Sequence, residues 1–123
     1  MMTGERERRA SVRAPERVAV ALAGEDQEWS AHTQNISATG VYCVIGEFIP
    51  PMTKLALRFE LPRGTGRVPI RCTGVVVRIE PIIASPEQGR YHLGIFFTDI
   101  SERHRSAIAQ FVAQRLAASP SSD

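Results

Sequence analysis

Leu55, Leu57, Phe59 and Leu61 occupy every second position of one run, with Ala56, Arg58 and Glu60 between them. Successive side chains of a β-strand point to opposite faces, so this run predicts a strand with one face in a core and one in water. The same period recurs along the chain. Val18, Val20 and Leu22 alternate with alanines, Gly24-Glu25-Asp26 supplies turn residues, and Trp29, Ala31 and Thr33 resume the alternation, which predicts an antiparallel pair. Val41 through Ile45 is a short continuous apolar run ended by Gly46, read as a buried strand. Tyr91, Leu93, Ile95 and Phe97 give another alternating strand.

Breaks in the period place the turns. Asn35-Ile36-Ser37-Ala38-Thr39-Gly40 reads as a loop between strands, and Pro50-Pro51 enforces a stop, since neither proline can donate to a ladder. Pro62 to Gly66 forms a turn, and residues 81–89 form a longer loop. Val68, Ile70 and Cys72 sit on even positions but Val75, Val77 and Ile79 on odd ones, so the inward parity is expected to switch at a bulge near Gly74. After Asp99 and Ser101, either of which can cap a helix, Ile108, Phe111, Val112 and Leu116 recur at helical spacing. About six strands followed by one helix, with no alternating strand-helix units, argue for an all-β antiparallel barrel or sandwich with a C-terminal helix against it. Residues 1–15 read as a flexible arginine-rich arm, 16–117 as the folded unit, and 118–123 as a disordered tail.

Composition narrows the function classes. A chain of 123 residues, 43% hydrophobic, builds one core without a disulfide or metal staple. Cys43 and Cys72, far apart among apolar neighbours, read as small buried thiols. No stretch approaches the roughly 20 apolar residues of a membrane-spanning helix, and the charged N-terminus leads into no apolar signal region. The expectation is a cytoplasmic protein with no membrane insertion. The net charge of +2 is too small to make the whole surface a nucleic-acid footprint. Few aromatics fall on exposed faces, so no nucleic-acid partner is expected. The positive charge is nonetheless almost all arginine: Lys54 is the sole lysine, and Arg6, Arg8, Arg9, Arg13 and Arg17 crowd the start of the chain.

Enzyme patterns are missing. His32, His92 and His104 are scattered at spacings that present no pair to a metal, and Ser37 sits in no nucleophile elbow. Gly64-Thr65-Gly66 lacks the rest of any phosphate loop, and Asn35-Ile36-Ser37 matches a glycosylation sequon only in its letters. No catalysis, no metal and no cofactor are expected. Two segments remain that use polar residues with restricted geometry. Arg9 and Arg13 lie four apart, with Arg8 directly before them, beside the first strand. Asn35, Ser37 and Gly40 put an amide, a hydroxyl and a flexible residue at a strand-to-strand corner. Separately these are a charged arm and a turn that satisfies its own backbone; together they make a ligand site.

The pair Arg-x-x-x-Arg and Asn-x-Ser-x-x-Gly, in that order and about twenty residues apart, resembles the two motifs of the PilZ domain family. Gly89 to Phe97 followed by the terminal helix is similar to the family's closing strand, so the resemblance covers nearly the whole chain. It implies a six-stranded antiparallel β-barrel that binds the bacterial second messenger cyclic di-GMP and relays its level to a downstream protein. Ligand contacts carry over to Arg9, Arg13, Asn35, Ser37 and Gly40, with Arg8 favouring a stacked pair of ligands over one. The chemistry suits them: arginine pairs with phosphate, stacks on a base or bonds the O6/N7 edge of guanine. Asn35 can bond a guanine edge, Ser37 can donate to phosphate, and Gly40 lets the backbone approach a ligand where a Cβ would obstruct it. Asn35 stands for the commoner Asp and Thr39 for a frequent glycine, so Thr39 should hold a negative φ. The alternative is a PilZ-like module that works through protein contacts alone, and the identity of the partner and the oligomeric state stay open.

Overall fold

The computed structural model describes residues 13–83 and 89–117. Its elements are β1 (Arg13–Ala14), β2 (Ala19–Ala23), β3 (Glu28–Ser37), β4 (Gly40–Ile45), β5 (Lys54–Arg63), β6 (Gly66–Ile82), β7 (Arg90–Ile100) and the helix α1 (Glu102–Ala117). Every pairing is antiparallel, and β2, β3, β4, β7, β6 and β5 pair in turn until β5 returns to β2. The six strands therefore close into the expected barrel. The added two-residue β1 pairs with the end of β3 beyond the reach of β2, with Ala14 opposite Ile36.

Side chains facing inward fill the core. Leu55, Leu57, Phe59 and Leu61 are all buried, as the alternation predicts, and meet Leu22, Ile36, Ile70, Leu93 and Ile95 from the other strands. Burying a side chain of this size contributes roughly 1.5 to 3 kcal/mol, so these positions dominate the stability of the fold. Ala14 is also wholly buried, so the last residues of the segment read as an arm carry a strand and a core contact. Cys43 and Cys72 are free and buried, as expected.

Four local expectations need correction. Asn35 to Ser37 continue β3 as strand, and only Ala38 and Thr39 separate it from β4. In β4 the run Val41 to Ile45 alternates, with Val41, Cys43 and Ile45 buried and Tyr42 and Val44 partly exposed, because one face of the barrel wall meets solvent. The parity of β6 changes three residues later than Gly74. Two irregularities interrupt its pairing with β7: Thr73 faces Asp99 but Gly74 faces Phe97, and then Val76 faces Ile95 but Arg78 faces Gly94. At the first the extra residue is Thr98, on β7, so β6 keeps its inward face through Gly74 and the buried Val76. At the second it is Val77, on β6, and the parity flips there. Val77 is therefore exposed at 55%, against the inward position expected of it. Finally, Pro81 and Ile82 still pair with β7, which shortens the long loop.

Ser101 is the helix cap: its Oγ accepts from the backbone N–H of His104 at 3.1 Å, satisfying a donor that the first turn leaves free. Ile108, Phe111 and Val112 are buried and set α1 against β1, β3, β5 and β6. Leu116 is 42% exposed and takes no part in the buried stripe, because the helix runs past the edge of the core in its last turn. Arg71 N–H donates to His104 Nδ1 at 3.2 Å and Arg115 Nε pairs with Glu16 Oε1 at 3.2 Å, so both ends of α1 are tied to the barrel.

Candidate functional site

The site is best built from Ser37, the last residue of β3. Its side chain is buried, and its Oγ accepts from the backbone N–H groups of Thr39 at 3.2 Å and Gly40 at 3.1 Å. The same hydroxyl lies 3.0 Å from Thr39 Oγ1 and 3.1 Å from the Gly40 carbonyl oxygen, the two acceptors available to its proton. A serine two and three residues before unpaired N–H groups reverses the chain tightly, which is why the β3–β4 connection needs only two residues. Thr39 is absent from the residues with positive φ, as its β-branched side chain requires. The sequence reading did not single out Arg105, whose Nη1 donates to the Ala38 carbonyl at 3.4 Å and pins the corner to α1. A side chain from a distant helix carries no local signal that would have found it.

Gly40 has a firm structural reason of its own. It pairs with Phe96, and a Cβ at position 40 would fall on the carbonyl oxygen of Ile95 in β7. The glycine is thus needed for the close approach of β7, a structural role that the reading of Gly40 as a ligand contact did not include. The amide N–H of Phe97 donates to the Thr39 carbonyl at 2.9 Å, which locks the corner onto the same strand.

Asn35 lies two residues before Ser37 on β3, beside a register shift that follows Thr33. Thr33 holds the chain on the other side of that shift: it is buried, and its Oγ1 accepts from Val18 N–H at 2.9 Å and donates to the Glu16 carbonyl at 2.5 Å. Asn35 pairs with Tyr42 and is partly exposed. The backbone of Arg13 pairs with Ser37 itself. The second arginine of Arg-x-x-x-Arg and the serine of Asn-x-Ser-x-x-Gly therefore stand side by side across two strands. Arg8 and Arg9 lie outside the described residues.

Burial pushes the Cys43 thiol up to about 12. Burial, with the Asp99 carboxylate adding a smaller push, does the same for Cys72, so neither is a nucleophile near neutral pH. Among the described residues no group of three or more His, Cys, Asp or Glu side chains could hold a metal ion. None of the described helices is long and apolar enough to cross a membrane.

Comparison with known proteins agrees with this architecture. No curated protein sequence is significantly similar to the chain. Among solved structures, the inhibitor of motility MotI (DgrA) of Bacillus subtilis superimposes with a TM-score of 0.79 at 23% identity, over 89% of this chain and 52% of that one. MrkH of K. pneumonia gives 0.69 at 12% identity, over 88% and 48% of the two chains. The PilZ domain of YcgR from Escherichia coli, solved with c-di-GMP, gives 0.62 at 12% identity, over 89% and 92%. The chain spans about half the length of MotI and MrkH and nearly the whole of the YcgR domain. A family model described as the PilZ domain matches residues 7–114, taking in both motifs, all seven strands and most of α1, and the chain belongs to the PilZ domain family.

Proposed function

We propose that the chain is a receptor for cyclic di-GMP, a binding module and not an enzyme, in which Arg9 and Arg13 close over the ligand against the corner from Asn35 to Gly40. The observation that carries this reading is the register of β1 on β3, in which Arg13 stands opposite Ser37. Backbone pairing thus sets the last residue of the first motif beside the serine of the second. Membership of the PilZ family and a structural neighbour solved with c-di-GMP support the choice of ligand. The chemistry is complementary: two phosphodiester charges and two guanines meet arginines that can pair, stack or bond a base edge. Asn35 offers an amide to a guanine edge, while Ser37 acts chiefly by holding the corner in shape.

Closure of the part of the N-terminal arm that precedes β1 over the ligand is the signal in this reading, passed to a downstream protein through the surface it creates. Arg8, directly before the motif, would favour a stacked pair of ligands. Calorimetric titration with cyclic di-GMP tests the proposal, with GTP and cyclic di-AMP as controls. Selective binding at micromolar concentration or tighter is the expected result, and two ligands per chain supports the role of Arg8. A charge-assisted hydrogen bond contributes about 1.5 to 3 kcal/mol, so Arg9→Ala and Arg13→Ala each weaken binding about ten- to a hundredfold. Ser37→Ala weakens it less. A change below threefold for both arginine variants contradicts the site, and no binding near millimolar ligand leaves a module that works through protein contacts.

A further inference from the structure

The second bulge of β6 re-aims one side chain. Ile70, Cys72, Gly74 and Val76 face inward on even positions, and if pairing stayed regular through Val77 the next even position, Arg78, would also point into the core. The bulge turns Arg78 outward instead, into register with Gly94. Bulges are frequent where a strand must redirect a side chain beside a functional site. Gly94 is in turn opposite Tyr42, and Tyr42 is opposite Asn35. Asn35, Tyr42, Gly94 and Arg78 therefore form one row across four strands, about 14 Å from end to end at the usual strand spacing. The row is closed over its glycine: a Cβ on Gly94 would lie 3.3 Å from the Cβ of Arg78 and 3.3 Å from Cε1 of Tyr42.

The neighbouring row begins at the motif corner. Gly40 is opposite Phe96, which is opposite Val75. Phe96 is 50% exposed in the middle of the sheet face. Gly40 lies beside it across the ladder and Gly94 two residues before it on the same strand face, so neither of these neighbours has a side chain to cover the ring. Arg78 is exposed and has no ion-pair partner among the described residues. A half-exposed aromatic ring and an exposed guanidinium thus sit on the outer wall that Asn35 and Gly40 already share.

We propose that Phe96 and Arg78 form a second wall of the ligand site, Phe96 stacking a purine and Arg78 bonding the O6/N7 edge of guanine. The inference rests on the receptor reading above and extends it to base selectivity. Guanine presents two acceptors on that edge, which a guanidinium matches with two donors. Adenine replaces one acceptor by an amino donor, which faces the guanidinium with no complementary partner. Arg78 therefore selects between cyclic di-GMP and cyclic di-AMP, whereas Phe96, stacking on any base, supports both.

Calorimetric titration of the full chain with both dinucleotides separates these roles. Arg78→Ala is expected to weaken cyclic di-GMP about ten- to a hundredfold and to leave cyclic di-AMP within twofold, so the preference for guanine collapses. Arg78→Lys, which keeps the charge but loses the planar fork, should lose most of the same preference. Phe96→Ala is expected to weaken both dinucleotides by a similar factor of about ten or more, and Phe96→Trp to restore binding with ligand-dependent quenching beyond that of Trp29. Arg58→Ala, on β5 away from both rows, serves as the control that stays at wild-type affinity. Wild-type binding with Arg78 and Phe96 variants all within twofold overturns this assignment alone. Equal loss of both dinucleotides in Arg78→Ala overturns the guanine role, and no binding by the wild type overturns the receptor reading and this one with it.

Discussion

A methyl group at position 40 would meet the Ile95 carbonyl oxygen and come within 3.3 Å of the Phe96 Cα, both backbone atoms of a strand held on its two sides. Neither can move aside cheaply, so Gly40→Ala should cost about 1 to 3 kcal/mol, the range for overpacking a well-packed site, and lower the urea midpoint of unfolding. An unchanged midpoint would show that β7 yields more readily than its ladder suggests. The two cysteines make a second prediction at this scale. Their folded thiols are raised to about 12, above the ordinary value of 9.0, so the folded state holds protons that the unfolded chain releases. The stability they contribute is complete below about pH 9 and lost as pH rises toward 12, because the unfolded state binds fewer protons across that window. Urea midpoints measured from pH 8 to 10.5 should therefore fall, and fall less in Cys43→Ala/Cys72→Ala relative to that variant's own midpoint at pH 8. Ser37 and Gly40 were legible as flanking a corner, since their residue types restrict geometry, whereas Asn35, read as part of the same loop, lies on β3. That the Ser37 hydroxyl is committed to the N–H groups of Thr39 and Gly40 was not legible, because which atoms a serine satisfies depends on how the chain turns after it.

Strands announce themselves by alternation, and β5 is the clearest case: its four inward residues were legible because each has a polar or small neighbour on either side. Where the alternation breaks, a single chain does not reveal which partner owns the extra residue. The irregularity near Gly74 was legible in β6, yet the added residue there is Thr98 of β7, and the parity of β6 changes only at Val77. A bulge is a property of a pair of strands, and its placement depends on a register that neither sequence holds alone. The helix shows the same limit. Ile108, Phe111, Val112 and Leu116 share a helical period, but the first three are buried and Leu116 lies past the edge of the core. Ile108→Ala should cost about 2 to 5 kcal/mol. Leu116→Ala should stay within about 0.5 kcal/mol. Denaturant titration of the two variants checks this, and equal costs would mean that the last turn of α1 packs more firmly than its exposure indicates.

For the molecule as a whole, the binding reading predicts a shallow dependence on salt. A cyclic dinucleotide brings two phosphate charges, so the slope of log Kd against log salt should not exceed about 2, whereas a protein gripping six to ten phosphates of a nucleic acid loses about a thousandfold or more between 50 and 200 mM. Titrations across that range distinguish them, and a steep slope would favour a long polyanion over the dinucleotide. The closed ring carries a further consequence. Each of the six barrel strands has a partner on both sides over part of its length, so among the described residues open backbone edges lie at strand ends such as β6 beyond Val76, where β7 still pairs with it but β5 does not. A protein that extended the sheet with a strand of its own, as peptides do on many capturing domains, would have only those ends to pair with. Elsewhere on the ring a downstream protein of the kind proposed would grip side chains on the walls or on α1, and a library of substitutions scored for loss of that partner should then return outward-facing positions scattered in sequence instead of one contiguous segment.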